Sequence, residues 1–93
     1  MNEAQAYLNG QFVAGSQASI PVSDAGFVLG TTVAEQLRTF GVKLFRLEAH
    51  LERLAHSLAV VGIQPNVSLA EIARIAQQLA GQNLALQQPG DDL

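Results

Sequence analysis

Phe27-Val-Leu-Gly-Thr-Thr-Val-Ala-Glu-Gln-Leu-Arg-Thr-Phe-Gly-Val-Lys-Leu-Phe-Arg-Leu-Glu-Ala-His-Leu-Glu-Arg-Leu54 is the stretch on which the fold turns. Phe27 to Gly30 is apolar and ends on a residue free to bend, so it reads as a loop. From Thr31 to Phe40, β-branched and apolar residues predict a strand, with Val33, Leu37 and Thr39 on one face. Ala34, Gln36, Arg38 and Phe40 fall on the other face. Gly41 marks a hairpin turn, and Lys43 to Leu47 reads as the returning strand. A helix opens near Glu48, because Leu47, Leu51, Leu54, Leu58 and Val61 recur at steps of four and three. Glu48 and Glu52 sit early in it, where negative charge suits the helix dipole.

Upstream of this stretch, Asn9-Gly10 between Ala6-Tyr-Leu8 and Gln11-Phe-Val13 is a strong short hairpin signal. Ser19 to Val22 is extended, and Pro21 confines it to a sheet edge. Asp24 in Ser23-Asp-Ala-Gly26 reads as a residue that closes a turn on its own backbone. Downstream, Gly62 stops the first helix, and Ser68-Leu-Ala-Glu71 reads as a reciprocal capping box opening a second. That helix is predicted to run to about Ala80 with Ile72, Ile75, Ala76 and Leu79 inward, and Gly81 to end it. Asn83 to Gln88 reads as a further strand or a trailing segment, and Pro89-Gly90 as a turn. The fold class is therefore α+β: one domain over residues 1–93, an antiparallel sheet with two helices packed on one face.

Composition bounds the function. Apolar residues make up 48% of the chain and charged residues 14%, which excludes intrinsic disorder and suggests that some surface is covered by another domain or subunit. A net charge of −3 with five basic residues leaves no electrostatic footprint for nucleic acid. There is no cysteine, hence no disulfide or thiolate metal site. No apolar run approaches the ~20 residues that span a bilayer, and residues 1–5 lack the marks of a secretory signal, so a cytoplasmic location is the expectation.

Few polar groups are candidates for chemistry. His50 and Arg53 are three residues apart on the helix and hence neighbours. An arginine near a helix start suits a phosphate through its planar fork of donors, yet spacing alone favours a solvated arginine paired with Glu52 or Glu48. His50 reads as a structural histidine bonded locally, and His56 falls on a different face with no acidic cluster to complete a metal site. No catalytic triad is identifiable, and Gly26 with Gly30 does not form a phosphate loop.

Gly30-Thr-Thr-Val-Ala-Glu-Gln-Leu-Arg38, followed by Phe45-Arg-Leu-Glu-Ala-His-Leu-Glu-Arg-Leu54 and Ser57, resembles the N-terminal domain of the class IV aminotransferases, the fold-type IV pyridoxal-phosphate enzymes. Tyr7 to Val13 and Ile20 to Phe27 are similar to the same family in order and spacing, so the likeness covers about residues 6 to 63. The resemblance implies that Arg53 binds the cofactor phosphate and that the Thr31–Arg38 segment, with Ala34 and Arg38, walls the substrate pocket. Within the family, Gly-Thr-Thr-Val with Glu35 and Arg38 looks closer to the branched-chain type than to the D-amino acid type. Ala34 stands where most members carry a tyrosine or phenylalanine, which reshapes the pocket. Aminodeoxychorismate lyase shares most of these motifs, and a non-catalytic interaction module is the alternative outside the family's chemistry.

The family's chemistry uses a lysine to hold the cofactor as a Schiff base. Lys43 is the one lysine here and sits beside the hairpin turn, whereas the family's lysine belongs to a later, larger domain. The expectation is an N-terminal fragment, or one part of a split enzyme, that is inactive alone. The complete protein is expected to be a homodimer acting on an amino acid and a 2-oxo acid.

Overall fold

The computed structural model describes residues 3–93. β1 (Gln5–Leu8) and β2 (Gln11–Ala14) pair antiparallel, with Tyr7 opposite Phe12 and Leu8 opposite Gln11. Asn9 (φ 49°) and Gly10 (φ 88°) both lie in the left-handed region, the backbone twist that a two-residue hairpin requires. Across the pair the Tyr7 and Phe12 rings meet edge to face with centroids 4.9 Å apart. The hairpin is tied to the last helix by one amide. Asn83 Nδ2 donates to the Gln5 carbonyl (3.0 Å), and its Oδ1 accepts from the Gln5 N–H (2.7 Å).

Residues 19–22 form no strand, contrary to the edge strand expected. Pro21 lacks a donor, and no neighbouring strand offers these residues a ladder. Phe27 to Gly30 is not a free loop either, since α1 (Ala25–Leu29) occupies most of it. Asp24 caps this short helix, its carboxylate accepting from the Gly26 N–H (3.0 Å) and the Phe27 N–H (3.4 Å), and Gly30 ends it at φ 68°.

Only the end of the expected Thr31–Phe40 strand is paired. β3 (Thr39–Phe40) meets β4 (Lys43–Leu44) across Gly41 and Val42, and the Phe45 N–H donates to the Arg38 carbonyl (2.8 Å). A returning arm of two residues cannot pair a ten-residue run, so residues 31–38 have no ladder. Their side chains nonetheless alternate. Val33, Glu35, Leu37 and Thr39 are turned inward, while Ala34, Gln36, Arg38 and Phe40 are exposed. The expected single sheet is thus two separate two-stranded antiparallel ribbons within an α+β fold.

α2 (Leu47–Val61) and α3 (Leu69–Leu84) pack on each other, and α3 also contacts β1 and β4. Leu47, Leu51, Leu54 and Leu58 form the half-buried stripe of α2, but Val61 at its end is exposed. Gly62 (φ 84°) ends α2, its N–H donating to the Leu58 carbonyl. At the start of α3, Ser68 Oγ accepts from the Glu71 N–H (3.1 Å). The expected reciprocal half of that box is missing, because the Glu71 carboxylate turns to Arg74 (2.6 Å). Gly81 does not end α3. The helix continues one turn further, to Leu84, where Asn83 is held against β1 and residues 83–88 form no strand. The tertiary tie outweighs the roughly 1 kcal/mol that a glycine costs inside a helix.

Burial is shallow. Among the described residues Ile75 and Ala80 of α3 are the buried apolar ones, and Thr39 is fully enclosed. Its hydroxyl donates to Asp92 Oδ1 (2.9 Å) and accepts from the Leu93 N–H (2.7 Å), so the enclosed polar atom is satisfied.

Candidate functional site

The inward turn of Glu35 places a carboxylate against the outer edge of α2. Its Oε1 lies 2.6 Å from His50 Nδ1 and accepts from Arg53 Nη2 at 3.0 Å, while Oε2 accepts from Arg53 Nε at 3.3 Å. The Glu35 side chain is 12% exposed and the Arg53 side chain 68% exposed, so the acid is held inside and the guanidinium reaches outward from it. The guanidinium fork is engaged from one side, the two-point geometry that fixes an arginine's plane as well as its position. First Arg53 and then His50 hold the Glu35 carboxyl below its ordinary range, and Glu35 holds Arg53 above its own. An ionised Glu35 has only acceptors, so His50 Nδ1 carries the proton in this contact.

Two clefts meet at this cluster. One, of about 370 Å³, is mostly apolar and bordered by Val33, Ala34, Leu37, Leu51 and Ile72, with Glu35 and His50 as its polar groups. The other, of about 260 Å³, is lined by Arg46, Ala49, His50 and Arg53. His50 borders both. Lys43 borders neither and lines a third cleft with Val42, Leu47 and Gln77.

The residues singled out in the sequence fall in two places. Arg53 and Ala34 belong to this region, Arg53 in the cluster and Ala34 on the rim of the apolar cleft. Arg38 does not join them. It projects from the opposite face of the segment, 3.6 Å from Asp92, with its guanidinium carbon 5.8 Å from the Phe40 ring centroid. Two readings change. Arg53 pairs with Glu35 rather than with Glu52 or Glu48, and His50 bonds across 15 residues rather than locally. Glu35, in the sequence only a motif residue, shares parity with Val33 and Leu37, which marks it as inward, and an inward carboxylate needs a partner. Among the described residues no group of three histidines, cysteines or acids is arranged to hold a metal.

Comparison with known proteins identifies the scaffold. The family described as amino-transferase class IV matches residues 32–87, a span that contains Glu35, His50 and Arg53. A D-alanine aminotransferase of Staphylococcus aureus (strain N315) is 34% identical over 77 residues, covering 83% of this chain and 27% of that protein. One from Staphylococcus epidermidis (strain ATCC 12228) is 30% identical over 77 residues, with the same shares, 83% and 27%. A third, from Bacillus licheniformis, is 32% identical over 75 residues, or 81% and 26%. The chain spans about a quarter of the length of these curated relatives. With more than half of its residues matched by one family, and the Glu35–His50–Arg53 cluster inside the match, this chain belongs to the class IV aminotransferases.

Proposed function

We propose that this chain is the N-terminal small domain of a pyridoxal-phosphate-dependent aminotransferase, which moves an amino group between an amino acid and a 2-oxo acid. The observation that supports it most is the Arg53 guanidinium, fixed from one side by Glu35 and open on the other to a polar cleft. This donor set fits a phosphate, because Arg53 Nη1 has no partner among the described residues and faces no second acid. The cofactor, when bound, supplies the electron sink for amino-group transfer. Arg53 would grip its phosphate, Glu35 would keep Arg53 in plane, and His50 would hold Glu35 through Nδ1–H. Ala34 would leave the rim of the apolar cleft open where a larger side chain would narrow it.

Lys43 is not the cofactor lysine in this reading, since it lines a different cleft from Arg53. A lysine from another segment would complete the site, and the 93-residue chain alone is proposed to be inactive. The complete protein would be a homodimer in a cytoplasmic setting. The exposed Phe27, Val28 and Leu29 of α1 are consistent with such cover, and no described helix is long and apolar enough to cross a membrane.

The amino donor has two readings. The relatives, all D-alanine aminotransferases, favour D-alanine. The Gly30–Arg38 motif favours a branched-chain amino acid, and the open rim at Ala34 has room for one. A chimera settles the matter: residues 1–93 grafted in place of the corresponding part of the S. aureus relative, loaded with pyridoxal phosphate and offered D-alanine or L-leucine with a 2-oxo acid. Amino transfer by the chimera and none by the isolated chain is the expected outcome, and preference for one donor selects its class. Transfer by the isolated chain, or none by a folded chimera, would overturn the proposal.

A further inference from the structure

We infer that Arg46 is a second cation of the anion cleft, so that a phosphate monoester there is held between two guanidinium groups rather than by Arg53 alone. The inference rests on the reading that Arg53 takes the cofactor phosphate, and it gives Arg46 a part in holding that phosphate.

His50 and Arg53 stand three residues apart on one face of α2, Arg46 immediately precedes the helix, and with Ala49 they line the same cleft of about 260 Å³. Charge distinguishes the two arginines. Arg53 is matched by Glu35, which lies behind it on the side of the apolar cleft. Arg46 has no carboxylate within ion-pair distance among the described residues. Two guanidinium groups line the cleft, one paired with Glu35 and the other, that of Arg46, in no ion pair even with Glu48 in the adjoining turn. Backbone donors add to this. Arg46 is itself the N-terminal boundary residue of α2, and no side chain caps that end. The first-turn amides of this 15-residue helix receive no side-chain cap, and Ala49 of that turn lines the cleft. An uncapped helix start, one unpaired arginine, one oriented arginine and a histidine thus converge on one concave surface. Their shared chemistry is that of a multiply charged oxyanion.

The backbone supplies a clean test. Arg46 has φ 54° and ψ 44°, a conformation that glycine adopts at less cost than any side-chain-bearing residue. Arg46→Gly therefore removes the guanidinium while easing the backbone, and its melting temperature should equal or exceed that of the original chain. The 93-residue chain is titrated calorimetrically with pyridoxal phosphate, with inorganic phosphate, and with pyridoxal as the control lacking a phosphate. Arg46→Gly is expected to weaken both phosphate-bearing probes by about five- to tenfold and to leave pyridoxal unchanged. Phosphate affinity equal to the original in Arg46→Gly overturns the inference. If Arg53→Ala still weakens binding in that case, the Arg53 reading survives without it. The reverse pattern, loss on Arg46→Gly and none on Arg53→Ala, keeps Arg46 and overturns the role of Arg53. No binding of either phosphate probe by the original chain overturns the two-arginine cleft, and the role of Arg53 then rests on the chimera alone.

Discussion

At the residue scale the decisive group is Glu35. A carboxylate turned inward is costly unless its charge is met, and here one acid is met twice, by Arg53 and His50. Its folded-state pKa is lowered by Arg53 first and His50 second. The sign of the linkage follows. A carboxyl depressed in the folded state binds fewer protons there than in the unfolded chain, so its stabilisation is present in full above the ordinary glutamate range, near pH ~4.3. It is lost as pH falls from there through the lowered value. Glu35→Gln is accordingly expected to destabilise the chain at pH 7, and the gap between the two proteins is expected to close on acidification. Urea denaturation at both pH values measures this, and a gap that persists in acid would show that Glu35 contributes through packing rather than charge.

At the scale of elements, signals carried by single residues were legible and those carried by pairing were not. Asn9-Gly10, Asp24, Gly62 and Ser68 each set a turn or a cap through their own backbone angles or side-chain oxygen, and each does so in the structure. The strand expected over residues 31–40 was legible in its alternation but not in its pairing, because a strand exists only where a partner supplies a ladder and β4 is short. The α+β class and the α2 stripe followed from periodicity up to Leu58. The site was half legible. His50 and Arg53 stood out by spacing, while their shared acid comes from 15 and 18 residues away and only the folded segment delivers it. Gly81 misled for a related reason, since α3 continues past it to reach β1 through Asn83. Backbone angle separates Gly81, inside α3, from Gly62, at the C-terminal cap of α2, since an added Cβ meets no atom within 4 Å at either. Gly81→Ala meets no atom within 4 Å and is expected to stabilise the chain by about 0.5–1 kcal/mol. Gly62→Ala, at φ 84°, is expected to cost about 1–2 kcal/mol. Thermal melts of the two variants check both signs.

At the scale of the whole molecule, the domain is thinly cored. Among the described residues Ile75 and Ala80 are its buried apolar ones, whereas Val22, Leu29, Phe40 and Val42 are each more than 60% exposed. Ile75 is therefore hard to replace. Ile75→Ala is expected to cost about 2–4 kcal/mol, a large part of what a domain of this size has, and to leave a substantial unfolded population measurable by circular dichroism. The exposed side chains agree with the low charge content, and both suit a domain that meets a larger body on one side.

Arg53, steadied by Glu35, is proposed to bind the phosphate of pyridoxal phosphate. Equilibrium titration of the cofactor's visible absorbance gives the affinity of the chimera for pyridoxal phosphate, to be compared with that of its Arg53→Ala variant. A loss of about tenfold or more, with the fold retained, is the predicted result. Equal affinity in the two proteins would contradict the claim and leave Arg53 a structural partner of Glu35.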